Sequence, residues 1–143
     1  MWHQITLVGH LGREPEMNYT QNGDAVTNLN VAVDNSFKGS DGEQVKRTIW
    51  VRVSVWRKQA EAYHEYLHKG SKVLVVGKLN ADPETGNPKI FNRQDGTAGT
   101  SYEIVAREVR FLTSKAENEA LAANNGSAAP PASAVPENND IPF

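Results

Sequence analysis

Two tryptophans and an arginine share one face of a short run. In Thr48-Ile49-Trp50-Val51-Arg52-Val53-Ser54-Val55-Trp56, the residues Trp50, Arg52, Ser54 and Trp56 alternate with Ile49, Val51, Val53 and Val55. A β-strand sends successive side chains to opposite faces. One face of this segment is therefore wholly aliphatic, and the other presents two indoles with a guanidinium between them. Rings stack on bases and cations track phosphates, a pairing suited to flexible single-stranded nucleic acid. A lone Trp is as readily explained by a covering loop or a subunit interface. Two of them flanking an Arg on the face away from the core favour a binding surface.

A second constellation, His64-Glu65-Tyr66-Leu67-His68, matches H-E-x-x-H. In zinc peptidases the two His bind the metal from one helix face and the Glu is the general base. The extended motif needs Gly at position 71 and His at position 74, where this chain has Ser71 and Leu74. A downstream Glu ligand would have to be Glu84, in a Pro/Gly-rich loop, or Glu103, at the start of a strand. Neither lies on the second helix such sites use. The spacing is thus expected to be structural, with no metal and no cofactor. There is also no P-loop, no G-x-S-x-G and no cysteine for nucleophilic work. The expectation is a protein that is not an enzyme.

Further aromatics and cations lie in two long connections. Phe37 stands beside Lys38 within residues 35–45, and Phe91 lies near Lys89 and Arg93 within residues 80–101. Either Phe alone is as well explained as a lid on the core. Two such loops beside a Trp-Arg-Trp strand point to a shared groove. Lys58 and Lys78 complete the candidate phosphate contacts.

These residues need a scaffold. Strands are expected from Ile5-Thr6-Leu7-Val8, with bends at Gly9 and Gly12, and over residues 25–34, 46–57, 72–79 and 102–112. Leu29, Val31 and Val33 mark the buried face of the second, and Val73 to Val76 suggest a fourth strand buried on both sides. Residues 59–70 read as a helix: Ala60, Tyr63 and Leu67 keep helical spacing, and Gly70 is a stop signal. Asp41-Gly42 marks a hairpin. Asp82-Pro83, Thr85-Gly86 and Asp95-Gly96 punctuate the long connection before the last strand. The order β-β-β-α-β-β is that of the OB-fold, a mainly-β, five-stranded barrel with one short helix between strands three and four.

The 143-residue chain has a net charge of −2 that hides an asymmetry. Residues 1–113 hold 14 Lys/Arg against 13 Asp/Glu, a net of +1, and residues 114–143 hold one Lys against four acids, a net of −3. A nucleic-acid binder with so neutral a body must concentrate its cations on one face and lean on stacking. Cysteine is absent, which excludes disulfides and thiolate metal sites. No apolar run reaches the ~20 residues that span a bilayer, and Met1-Trp2-His3-Gln4 lacks the order of a signal peptide. A soluble intracellular protein is expected, with no membrane partner.

Composition changes at Ser114. Residues 114–136 are mostly Ala, Asn, Ser, Pro and Glu and cannot bury enough surface to offset their ordering entropy. A short helix over 115–123 is compatible with the pattern, but a disordered linker is the expectation. Residues 137–143 then end in Asp140-Ile141-Pro142-Phe143. Apolar residues after a polar tail do nothing for a fold and suit a short recognition motif. The organisation expected is a domain over 1–113, a linker over 114–136 and a partner-binding tip over 137–143.

The chain resembles the bacterial-type single-stranded DNA-binding proteins, on several motifs in order. Leu7-Val8-Gly9-His10-Leu11-Gly12-Arg13-Glu14-Pro15-Glu16 is similar to V-G-N-L-G-x-D/E-P-E. Thr48-Ile49-Trp50 with Ala60-Glu61 is similar to T-E-W…A-E. Tyr66-Leu67-His68-Lys69-Gly70-Ser71-Lys72-Val73 follows Y-L-x-K-G-x-x-V, which places the H-E-x-x-H match in a structural helix, and Asp140-Ile141-Pro142-Phe143 matches the family's tip. The resemblance implies that Trp50 stacks on bases and that Trp56 takes the place of a family Phe. Phe37 and Phe91 fall where the family has loop Trp residues, and Arg52 matches a basic strand position.

It implies further a homotetramer of the bacterial cytoplasm or nucleoid that coats single-stranded DNA during replication, recombination and repair and recruits replication and repair proteins through the tip. Three departures stand out: Ile49 replaces the Glu of T-E-W, Val51 stands where many members have His near the subunit contact, and Asn138-Asn139 replace acids of the tip. Fewer acids imply weaker partner binding that depends less on long-range electrostatics. The alternative is an OB-fold module for structured RNA or a protein partner.

Overall fold

A computed structural model describes residues 1–126. In chain order the elements are β1 (Ile5–Leu11), β2 (Glu16–Tyr19), β3 (Ala25–Asp34), β4 (Phe37–Lys38), β5 (Gln44–Val45), β6 (Thr48–Trp56), α1 (Lys58–Tyr66), β7 (Lys72–Leu79), β8 (Ile90–Asn92), β9 (Ala98–Thr100), β10 (Tyr102–Phe111) and α2 (Lys115–Gly126). The main sheet runs β1-β7-β10-β6-β3, and β3 returns to β1 through His10↔Ala32 and Leu11↔Val31. That closure makes the five-stranded barrel of the OB-fold. β10 runs parallel to β6, and the other barrel pairs are antiparallel. Gly9 permits the closure, because a Cβ there would lie 2.3 Å from the Ala32 carbonyl oxygen.

Alternation fills the barrel. Leu29 and Val31 of β3, Val51, Val53 and Val55 of β6, Val73 and Val75 of β7, and Ile104 and Val109 of β10 form one buried cluster with Leu11 and Leu67. Each such side chain contributes roughly 1.5–3 kcal/mol of burial. α1 closes one end. Its Ala60 is buried, its Tyr63 hydroxyl donates to the Val109 carbonyl at 3.1 Å, and the Thr27 hydroxyl donates to the Ala60 carbonyl at 2.6 Å.

Three sequence expectations are corrected. β7 is buried on one face only: Val73 and Val75 point inward, while Leu74 and Val76 are half-buried on the outside. The helix ends at Tyr66 rather than near residue 70, and Leu67 is already extended. The following residues serve β1 instead, with the Gly70 amide donating to Leu11 and the Leu11 amide to Ser71. The linker expected over 114–136 begins as a helix. Ser114 and Glu117 cap it reciprocally: the Ser114 amide and hydroxyl donate to the Glu117 carboxylate, and the Glu117 amide donates to the Ser114 hydroxyl oxygen. Asn118 then ties α2 to the barrel, accepting from the Ser71 hydroxyl at 2.7 Å and donating to the Tyr66 carbonyl.

The rest of the linker, residues 127–136, and the tip over 137–143 lie outside the described residues. Among the described residues, no helix is long and apolar enough to cross a membrane.

Candidate nucleic-acid interface

β6 positions the central residues because both of its neighbours hold it. Val51, Val53 and Val55 anchor one face in the core, so Trp50, Arg52, Ser54 and Trp56 emerge on the other. Trp50 is 56% exposed and Trp56 40%, so no loop among the described residues covers either ring. Trp50 pairs with Ala32 of β3, and its six-membered ring lies against Gly12. A Cβ on Gly12 would stand 2.3 Å from that ring, so the residue read as a bend is also the floor under an indole.

Arg52 lies in register with Asn30 of β3 and Glu103 of β10. Ser54 faces Asn28, to which its hydroxyl donates at 3.2 Å, and Val105, which in turn faces Lys78 of β7. Lys78 therefore shares the outer face with β6, two strands or roughly 10 Å away.

The connection between β7 and β10 brings a second wall. Asp82 accepts from the amides of Glu84 and Thr85, and Asp95 from the amide and hydroxyl of Thr97. These bonds to the ionised form hold both carboxyls below their ordinary value of 3.8. The turn at Asp95-Gly96 joins β8 to β9, and the hairpin carries Phe91 back toward β6. A groove of about 410 Å³ results, lined by Trp50, Arg52, Lys89 and Phe91 together with Asn30, Ile90, Ser101 and Glu103. Four residues singled out in the sequence thus meet in one place. Among the described residues, the Arg52 guanidinium has no hydrogen bond or ion pair, so its charge is available to a ligand.

The remaining candidates stand around this groove rather than in it. Trp56 ends β6, six residues or roughly 20 Å from Trp50. Lys58 opens α1 just beyond it, after Arg57. Arg57 takes a left-handed φ of 65°, which side chains other than Gly rarely adopt. The turn is held by the Arg57 amide on Ala25 and the Ala60 amide on Arg57. Phe37 and Lys38 form β4 of a small exposed hairpin, where Arg47 places its guanidinium 4.9 Å from the Phe37 ring centre. Arg93 lies 5.8 Å from the Phe91 ring centre. Asp140, Ile141, Pro142 and Phe143 lie outside the described residues.

The sequence reading missed Arg47, Arg57, Asn30 and Glu103. Arg47 and Arg57 each stand within ten residues of a chosen aromatic, but neither carries a periodic signal. Asn30 and Glu103 arrive through strand pairing and had no local mark.

The His-Glu-x-x-His spacing is not carried on a single helix. α1 ends at Tyr66, so His68 is off the helix, and its Nδ1 faces the Glu14 carboxylate at 3.4 Å. Among the described residues, no group of three or more His, Cys, Asp or Glu could hold a metal ion. A cavity of about 240 Å³ between α1, β10 and α2 is apolar, with Tyr66, Leu67 and Phe111 among its walls. It lies under α2, away from the Trp-Arg-Trp face, and brings together none of the candidate chemistry.

The pattern of the single-strand binding protein family matches residues 2–112, the whole barrel and both hairpins. The chain belongs to this family. Its members are non-enzymatic DNA-binding proteins. The chain is 36% identical over 116 residues to the single-stranded DNA-binding protein of Neisseria meningitidis serogroup A, covering 81% of this chain and 63% of that one. It is 40% identical over 115 residues to the protein of the same name from Xanthomonas axonopodis pv. citri, covering 80% and 60%. This chain thus spans about three fifths of these relatives' length. A crystal structure of a deletion mutant of the single-stranded DNA-binding protein from Thermus aquaticus superposes with a TM-score of 0.59 at 26% identity, covering 76% of this chain and 49% of that one.

Proposed function

We propose that this chain binds single-stranded DNA with little sequence preference, and that it protects such DNA in replication, recombination and repair. The observation that carries the reading is the groove in which Trp50 and Phe91 stand with Arg52 and Lys89. Trp50, Trp56, Phe37 and Phe91 stack on bases. Arg52, Lys38, Lys58, Lys78 and Lys89 supply positive charge along the path, and Arg93, whose guanidinium is bonded to Ala98 and Thr97, holds Phe91 in place for it. Stacking accepts any base, and charge follows the backbone, so salt dependence replaces sequence dependence.

The test is Trp fluorescence during titration with oligo(dT), at low and high salt and against a duplex of equal length. Quenching by the single strand alone, weakened by salt, supports the reading. An equal response to duplex favours a module for structured RNA or protein.

Two features support assembly into a homotetramer. The edge of β1 over residues 5–9 that faces away from β7 has no strand partner among the described residues, and open edges invite pairing. Val8, Leu74 and Val76 leave apolar surface on the outside of β1 and β7. Val51, expected near a subunit contact, is 5% exposed within its own barrel, so it offers no group to a neighbour. Light scattering coupled to size exclusion measures the state. The tip Asp140-Ile141-Pro142-Phe143 recruits replication and repair proteins. Its deletion is expected to leave DNA affinity intact or higher while abolishing recruitment, and weaker DNA binding by the truncation would count against that role.

A further inference from the structure

Each hairpin holds an arginine over its own phenylalanine, but the two arginines are held differently. In the β8–β9 hairpin, Arg93 Nη1 donates to the Ala98 carbonyl at 2.8 Å and to the Thr97 hydroxyl at 3.4 Å. Its guanidinium is bonded into the hairpin's own backbone. In the β4–β5 hairpin, only the main chain of Arg47 is bonded: its carbonyl accepts from Asn35 at 2.8 Å, and its amide donates to the Ser36 hydroxyl at 3.3 Å. Among the described residues, the Arg47 guanidinium makes no hydrogen bond or ion pair, and its recorded contact is the ring of Phe37.

Resting on the single-strand reading of the groove, we propose that Arg47 is a further DNA-binding residue, a movable phosphate clamp stored on the ring it guards. The backbone at Arg47 is fixed at the base of the hairpin, while its side chain covers the face of Phe37 that a base would take. A flat, weakly hydrated guanidinium rests well on an aromatic face and pairs well with phosphate oxygens. An entering base displaces it from the ring, and the phosphate of the same nucleotide receives it. The stored position keeps the 44%-exposed Phe37 ring partly covered without DNA and leaves no polar bond to break when DNA arrives. Arg93 cannot move in this way without releasing Ala98 and Thr97, so it acts as a positioning residue for Phe91.

The difference is read from salt dependence. A phosphate contact on a single strand adds about 0.7 to the slope of log K against log salt concentration. Oligo(dT) binding is measured over a salt series for the unsubstituted protein, Arg47→Gln, Arg47→Lys and Arg93→Gln. Arg47→Gln is expected to lower the steepness of the slope by about 0.7, Arg47→Lys to restore it, and Arg93→Gln to weaken binding through Phe91 while leaving the steepness unchanged. An unchanged slope in Arg47→Gln overturns the assignment. An equal fall in Arg93→Gln overturns the distinction between the hairpins. If the unsubstituted protein shows no preference for single strands, the DNA-binding reading itself fails and this assignment falls with it. If it binds but Arg47 leaves the slope untouched, only the clamp fails.

Discussion

Strand β6 and the two hairpins offer a strand of DNA the same chemistry on different supports. Trp50 and Trp56 stand on a nine-residue strand paired on both sides and rooted by Val51, Val53 and Val55. Phe37 and Phe91 stand on two short ladders that pair only with themselves, and every residue of β4, β5 and β8 is exposed. A base stacking on β6 meets a ring whose backbone is already fixed by the core. A base stacking on a hairpin must also bring the hairpin to rest, and that ordering subtracts from the gain. The barrel face should therefore set affinity, and the hairpins should adjust it.

Trp50→Ala is expected to break the comparison most visibly. Stacking losses of roughly 1–3 kcal/mol, a range known for this class of protein, correspond to roughly 5- to 150-fold weaker binding. Because the ring is more than half exposed, the melting temperature should hardly change. Phe91→Ala is expected to lie at the low end of the same range, near ~1 kcal/mol. Equal losses from the two variants, measured by titration with oligo(dT), would mean that the hairpin is as well ordered as the strand.

Glu103→Gln addresses the groove itself. Glu103 lies in register with Arg52 on the neighbouring strand and lines the groove, where it opposes a phosphate. Removing its charge is expected to tighten single-strand binding by about two- to fivefold at low salt and by less at high salt. A weaker complex would show instead that Glu103 orients Arg52 and that the platform depends on that pairing.

Much of β6 was legible because its alternation is local: the core valines and the outer Trp-Arg-Trp face alternate within nine residues. The helix, the barrel order and the Asp41-Gly42 and Asp95-Gly96 turns were legible for the same reason. Strand β2 was not, since Glu16-Met17-Asn18-Tyr19 has no apolar rhythm and forms only because β3 presents an edge to it. Glu103 reaches the groove through the parallel pairing of β10 with β6, a contact made across fifty residues. Arg47 reaches Phe37 across a hairpin, and nothing in the order of residues marks Arg47 above Lys38 or Lys46. α2 did carry a signal, Ser114-Lys115-Ala116-Glu117, which fits the capping box. Its Ala/Asn-rich composition outweighed that signal, because the anchor through Asn118 and Ser71 is tertiary.

Acid should separate the two supports without any mutation. Asp95 lies below its ordinary value of 3.8 because it accepts first from the Thr97 hydroxyl and then from the Thr97 amide, and Asp82 because it accepts from the amides of Glu84 and Thr85. A carboxyl with a lowered pKa in the fold contributes its stability fully above the unfolded value. That contribution is lost as pH falls through the lowered value. The turns of the β7–β10 connection should therefore loosen below about pH 3.8, while β6, whose outer face carries no carboxylate of its own, should not respond in that window. Amide exchange follows this directly. The Thr97 and Glu84 amides are expected to lose protection as their partners protonate, while the ladder amides of β6 keep theirs. Asp95→Asn should remove the acid dependence at Thr97 alone. If the amides of β6 open at the same pH, the barrel and its hairpins unfold as one unit, and the division between a fixed platform and adjustable arms would have to be given up.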